Sequence, residues 1–243
     1  MKLIRNDLVC DIGANHGEDT AFYLSKGFQC IAVEANPLIA SKLRERFAEP
    51  ISMGMLTLLN IGVWNEAKTL TFYVNEHNDH WSSFDRGYGT RDGTSYHTLE
   101  VECILIDELL ERYGVPRYMK IDVEGADRHI LESLRTRPIV PPFISVEEYG
   151  LKALDDLRAA GYEHFKFLPQ SDKSWAVSPS PSLEGGYVDR QSNGRDSGLF
   201  GLELPGAWMT YEQATTHFAK TIRDAGSTYV GVLGEWWDIH ATY

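Results

Sequence analysis

VCDIGANHGEDT, residues 9–20, decides the fold. The apolar run LVCDI at 8–12 suits a buried parallel strand, and it stops at Gly13. A tight turn holding Gly13 and Gly17 follows, and residues 18–26 then read as a helix that Gly27 ends. Glycines let a backbone turn sharply and approach a ligand closely. A second apolar strand, CIAVE at 30–34, closes on Glu34. The next helix announces itself: Asn36 can cap, Pro37 fits the first helical position, and Ile39, Leu43 and Phe47 repeat on one face.

The same alternation runs outward from this unit. Strands are predicted at 57–61, 69–74 (TLTFYV), 98–106 (TLEVECILI), 117–122 (RYMKID), 143–148 (FISVEE), 163–168 and 199–204 (LFGLEL). Helices are predicted at 106–114, 126–134, 151–161 and in the tail at 208–226. Two segments, 75–97 and 169–198, are long, polar and turn-rich, and long loops in compact domains commonly carry function. The pattern predicts one α/β domain over residues 1–243, with a mostly parallel sheet and helices on both faces. Ligands in such sheets bind beyond the carboxyl ends of the strands, which directs attention to the residues there.

Bulk properties narrow the partners. With 35 acidic against 23 basic side chains, the net charge is −12 and no basic run exists to follow a phosphate backbone. Nucleic acid is therefore not expected, and neither is an anionic membrane surface. No apolar run approaches a membrane span, and the start MKLIRNDLVC is too charged for a signal sequence, so a cytoplasmic protein is expected. Cys10, Cys30 and Cys103 have no paired spacing and read as core residues.

Three strand tips carry the chemistry. Asp11, closing the first strand, is placed to take hydrogen bonds from a ligand's ammonium group. Glu34, closing the second, is placed to accept from both hydroxyls of a ribose. Those features also suit a nicotinamide dinucleotide, whose fingerprint is G-x-G-x-x-G with the pyrophosphate on the helix N-terminus. Here Asn15 and Glu18 stand at the second and third glycine positions, and Glu18 and Asp19 charge the first helical turn negatively. A diphosphate is poorly served there, whereas S-adenosylmethionine has no phosphate and carries a positive sulfonium. The third tip, MKIDVEGAD at 119–127, presents Asp122 and Glu124, as a base, as metal ligands or as groups that orient an acceptor. Glu147 joins them as a possible Mg²⁺ ligand, but no spacing demands a metal and none is expected. His77, His80 and His97 in the first loop are rival bases.

GANHG with its leading aspartate, VEANP at 33–37, the N-x-G-V stretch at Asn60 to Val63, TLTFYV and KIDVEGAD together resemble the FkbM family of methyltransferases over about residues 8–148. The resemblance implies a class I methyltransferase (Rossmann-like) fold with a seven-stranded sheet, S-adenosylmethionine as donor, and mostly O-methylation of sugars and related metabolites. By position it implies that Asp11, Gly13, Ala14, Asn15, Gly17 and Thr20 serve the methionine end of the cofactor. Glu34 and Ala35 would serve the ribose, Asn60 and Ile61 would border the adenine, and Asp122 would lie beneath the methyl group. Aromatic residues in and near the loops (Trp81, Tyr88, Tyr96, Trp175, Trp236, Trp237) suit stacking on a sugar's C–H face, which points to a small-molecule or glycan acceptor. A nicotinamide-dependent oxidoreductase and a non-catalytic scaffold that keeps the cofactor fold are the competing readings.

Overall fold

The computed structural model describes residues 3–224, 227–232 and 234–243. In chain order the elements are β1 (Ile4–Ile12), α1 (Glu18–Ser25), β2 (Gln29–Val33), α2 (Pro37–Arg46), α3 (Ala48–Ser52), β3 (Leu56–Leu59), β4 (Gly62–Val63), β5 (Lys68–Asn75), α4 (Arg86–Gly89), β6 (Tyr96–Ile104), α5 (Ile106–Tyr113), β7 (Val115–Ile121), α6 (Asp127–Leu134), β8 (Phe143–Glu147), α7 (Leu151–Ala159), β9 (His164–Pro169), β10 (Met209–Thr210), α8 (Tyr211–Thr221) and β11 (Trp237–Thr242).

The main sheet has the order β10-β9-β11-β8-β7-β1-β2-β3. Strands β8, β7, β1, β2 and β3 are mutually parallel, and β11 inserts antiparallel between β8 and β9. Alternate residues of β1 feed opposite faces, as the pleat requires. Leu8, Cys10 and Ile12 join a cluster with Leu109, Ile130, Leu131 and Leu157, whereas Val9 joins Phe22, Tyr23, Ile39 and Leu43. Helices α1 and α2 therefore cover one face and α5 to α7 the other. The chain leaves β1 in one direction along the sheet and returns on its other side with β7, which makes the β1/β7 boundary the switch point where a crevice opens.

This is the α/β class I topology expected, with eight strands in place of seven. The extra one, β10, is a two-residue edge strand against β9. A separate three-stranded sheet, β4-β6-β5, takes up TLTFYV and the strand that follows the first long loop.

Other departures have local causes. LFGLEL is not a strand: Leu199, Phe200 and Leu204 plug the α1/α2 face, with Phe200 stacked on Tyr118 at 4.6 Å between ring centroids, and residues 201–203 form a 3₁₀ turn. The tail helix starts later than expected because Thr210 and Gln213 form a capping box there. It ends at Thr221, while residues 225 and 226 of the expected helix lie outside the described residues, as do residues 1 and 2 of the starting segment. The first long loop carries short helical turns at 79–81, 86–89 and 91–93. All three cysteines are free and buried. Among the described residues no helix is long and apolar enough to cross a membrane.

Candidate active site

A cavity of about 520 Å³ opens at the carboxyl ends of β1, β2, β7 and β8. Its floor is the turn after β1. The Gly13 and Ala14 amides donate to the Val33 carbonyl at 3.0 and 2.9 Å, which folds the turn against β2. Gly13 has φ +86°, and a Cβ there would lie 1.8 Å from the Asp122 carbonyl oxygen, so only glycine lets β1 and β7 close on each other at this point.

Glu34 forms the middle of the wall. One carboxylate oxygen accepts from the Asn15 amide at 2.8 Å and the other from the Asn36 amide at 2.7 Å. Burial nevertheless pushes its pKa up to about 7, against the pull of those two amides. Asn60 does not line the cavity; its side-chain amide donates to the carbonyls of Glu34 and Ala35 at 2.8 and 3.1 Å and so holds the β2 tip in shape. On that side the lining is apolar: Ile39, Ile61, Val63, Phe72 and Phe84, with Ala35 beside them.

The opposite wall is acidic. Asp19, Asp122, Glu124, Glu147 and Asp238 line it, and the β11–β8 register sets Asp238 beside Glu147. Beneath them lies Lys120, whose ammonium stands 3.2 Å from Asp122, 3.4 Å from Asp19 and 3.6 Å from Asp11. Burial works against that ammonium, but the charges of Asp122, Asp11, Asp19 and Asp238 outweigh it and hold its pKa well above the usual value. Asp11 is wholly buried, accepts from the Thr20 hydroxyl at 2.6 Å and does not line the cavity; neither do Thr20 and Gly17, the latter packed on Phe47 and Leu43. Gly13, Ala14 and Asn15 do line it.

Glu124 takes a left-handed backbone conformation (φ +47°) that a residue with a side chain rarely adopts. The Ser83 hydroxyl, reaching in from the first long loop, donates to its carbonyl at 2.6 Å. Asp127 accepts from the Gly125 amide at 3.1 Å and steadies the same turn. The Glu124 carboxylate pairs with Arg91 of the loop. Burial and the charge of Asp122 push its pKa up to about 7, with Arg91 opposing them. Burial and the charges of Asp122 and Glu124 push Glu147 well up, and burial lifts Asp238 to about 7.

The two long loops close the sides. Trp81, His80 and Arg91 come from the first and Asp196 and Ser197 from the second, where the Ser197 amide donates to both Asp19 oxygens at 2.9 and 3.1 Å. Of the aromatic residues singled out in the sequence, Trp81 and Trp236 line the cavity, whereas Tyr88, Tyr96, Trp175 and Trp237 do not. His97 pairs with Glu76, away from it. Lys120 and Asp238 escaped the sequence reading, and Asp19 entered it only as part of an acidic helical turn. A lysine inside the apolar strand YMKI was the visible signal for the first; Asp238 had none, because β11 was not recognised as a strand.

The lining suits a ligand with a flat apolar end, a diol and a cationic end, since apolar side chains, a fixed carboxylate and an acid cluster follow one another along it. Residues 11–169 match the family described as Methyltransferase FkbM domain. Among solved structures, a methyltransferase FkbM from Methylobacillus flagellatus KT is similar at 14% identity with a TM-score of 0.44, covering 69% of this chain and 41% of that one. A precorrin-6y C5,15-methyltransferase from Geobacter metallireducens GS-15 is similar at 12% identity and a TM-score of 0.40, covering 98% and 80%. A Burkholderia thailandensis 1,6-didemethyltoxoflavin-N1-methyltransferase, crystallised with 1,6-didemethyltoxoflavin and S-adenosylhomocysteine, is similar at 12% identity and a TM-score of 0.37, covering 97% and 70%. The chain thus spans less than half the length of the first of these. No curated protein matches it.

Proposed function

The chain belongs to the FkbM methyltransferase family, and we propose that it moves a methyl group from S-adenosylmethionine to a hydroxyl oxygen of a small molecule, a sugar or comparably hydroxylated metabolite. The observation that carries this reading is the order of chemistry along the cavity: apolar side chains, then Glu34, then five acids. Ile39, Ile61 and Phe72 would hold the adenine, Glu34 the ribose hydroxyls, and the acidic wall the ammonium and sulfonium charges. When bound, the cofactor supplies an electrophilic methyl group on a good leaving group.

The residues then have alignment and proton transfer to perform. Glu34, with each oxygen already anchored by a backbone amide, keeps lone pairs for two further donors in fixed directions. Glu124 takes the acceptor's hydroxyl proton, and its pKa of about 7 suits a base working near neutrality. Asp122, fixed by Lys120, orients the acceptor. Trp81 and Trp236 offer apolar faces among acids, the combination that packs a sugar ring while binding its hydroxyls. The whole chain acts as one domain, its two long loops forming the acceptor's walls.

Calorimetric titration with S-adenosylmethionine, S-adenosylhomocysteine and NAD⁺ tests the cofactor. Binding of the two adenosyl-sulfur ligands alone is expected, and binding of NAD⁺ alone would overturn the reading. Transfer of radiolabelled methyl to a panel of hydroxylated and amine acceptors then tests the chemistry. Labelling confined to amines would exclude the oxygen acceptor.

A further inference from the structure

Beside the cavity mouth, the first long loop meets the glycine turn through side chains that the methyl-transfer reading does not use. His16, in the turn, places Nε2 2.9 Å from an Asp79 carboxylate oxygen. The His80 ring meets the His16 ring edge-on at 5.9 Å between centroids. One donor atom from each of His16, Asp79 and His80 lies within 4.8 Å of the other two. Glu18 borders the same depression and adds a second carboxylate.

We propose that His16, Asp79 and His80 form a binding site for a divalent transition-metal ion of the Zn²⁺ type, with Glu18 as the fourth ligand. Two imidazoles and carboxylate oxygens are a donor set that such ions take readily and that Mg²⁺ or Ca²⁺ does not favour. Zn²⁺–ligand bonds of about 2.0–2.1 Å in a tetrahedron put donor atoms about 3.3 Å apart. The donors of His16, Asp79 and His80 are therefore roughly an ångström and a half looser at their widest than in a loaded site, a gap that side-chain rotation closes. Glu18, which lies outside that trio and 3.8 Å from Arg46, swings in as the fourth. Both main chains are already held: the His16 carbonyl accepts from Arg46, and the His80 amide donates to the Asn78 side chain at 3.2 Å. Charge agrees as well, since two carboxylates offset a divalent ion while neutral imidazoles add nothing.

The site has a mechanical consequence. Asp79 and His80 belong to the loop that also delivers Trp81 and Arg91 to the cavity, and His16 belongs to the turn that forms its floor. A bound ion therefore clamps the loop onto the turn and fixes the cavity's outer wall.

The test uses the full chain after chelation and dialysis, without cofactor or acceptor, so its failure leaves the methyltransferase reading untouched. Zn²⁺ titration by calorimetry should give saturable 1:1 binding, and Co²⁺ should produce a visible ligand-field band with the same stoichiometry. Loss of an outer-shell partner alone costs about 10–100-fold in metal affinity, so His16→Asn, Asp79→Asn and His80→Asn should each weaken binding by more than about 100-fold. His97→Asn, in β6 where that loop ends and paired with Glu76, should bind as the parent does. Absence of 1:1 binding in the parent, or equal affinity in a His16→Asn/His80→Asn double variant, overturns the proposal. The parent arm decides even if a variant fails to fold.

Discussion

Glu34 and Glu124 face each other across one cavity, and burial lifts both to about 7. They differ in what holds them. Glu34 is gripped by two backbone amides of adjacent turns, so its direction is fixed by the same hydrogen bonds that build the β2 tip. Glu124 stands on a strained turn and is held by one long side chain, Arg91, from a loop. A carboxylate locked by the main chain suits recognition, where geometry must not change. A carboxylate balanced against a movable cation suits a cycle in which it gains and loses a proton.

The sharpest test of that division is Glu124→Gln. On the reading above it removes the base and should lower turnover about 10²- to 10⁴-fold, while calorimetry finds the cofactor affinity near the parent value. Asp122→Asn should likewise cut turnover more than affinity. An unchanged rate for either amide removes that residue from the mechanism.

Lys120 underlies the acidic wall, because it holds Asp19 and Asp122 of that wall together with the buried Asp11 beneath them. Lys120→Met removes the buried cation and leaves carboxylates uncompensated, an effect worth about 3–5 kcal/mol when one partner of a buried pair is lost. Urea unfolding followed by tryptophan fluorescence should record it. A change below about 1 kcal/mol would mean that Lys120 is not the keystone of the three acids.

The two carboxylates also differ in how far the sequence reveals them. Glu34 follows from a local pattern: an apolar strand, a fixed spacing from the glycine turn, and a capped helix behind it. Glu124 sits in a readable motif, but Arg91 and Ser83 reach it from a loop with no period, and nothing local announces that contact. Asp238 lies further still from legibility. The run EWWDIHATY is aromatic and acidic, and only insertion between β8 and β9 makes it a strand and sets its aspartate beside Glu147. Parallel strands buried on both faces advertise themselves by continuous apolar runs. The antiparallel flank draws its identity from neighbours distant in the chain. LFGLEL misleads for the same reason: its apolar residues fill a face rather than pair along an edge.

Recognition by Glu34 should yield to a smaller change than catalysis by Glu124. Glu34→Gln keeps the shape but replaces one anionic acceptor oxygen by a donor, which cannot accept from the Asn15 or Asn36 amide or from a ribose hydroxyl. Hydrogen bonds to charged groups are worth about 1.5–3 kcal/mol, so cofactor affinity should fall roughly 10- to 150-fold by calorimetry. Turnover at saturating cofactor should change far less. A large loss of turnover with unchanged affinity would reverse the roles assigned to the two acids.

Arg91→Met probes the balance at Glu124 with the mildest expected effect. Burial and Asp122 raise the Glu124 pKa while Arg91 lowers it, so removing Arg91 should raise it further. If Glu124 acts as the base, the rising limb of the pH–rate profile moves to higher pH in the variant, and in Glu124→Gln the limb disappears. Stability should follow the same sign. Glu124 ionises near 4.5 in the unfolded chain and near 7 in the native one, so between those values the native state keeps a proton that the unfolded state has released. The stability tied to this group is present below about 4.5 and is lost as pH rises through about 7. In Arg91→Met that loss should continue to higher pH, visible as a widening gap from the parent in urea midpoints measured between pH 6 and 8. A parallel offset at every pH would mean that Arg91 contributes packing on Trp81 and Tyr88, over which its guanidinium lies at 5.2 and 5.1 Å, and leaves the Glu124 proton alone.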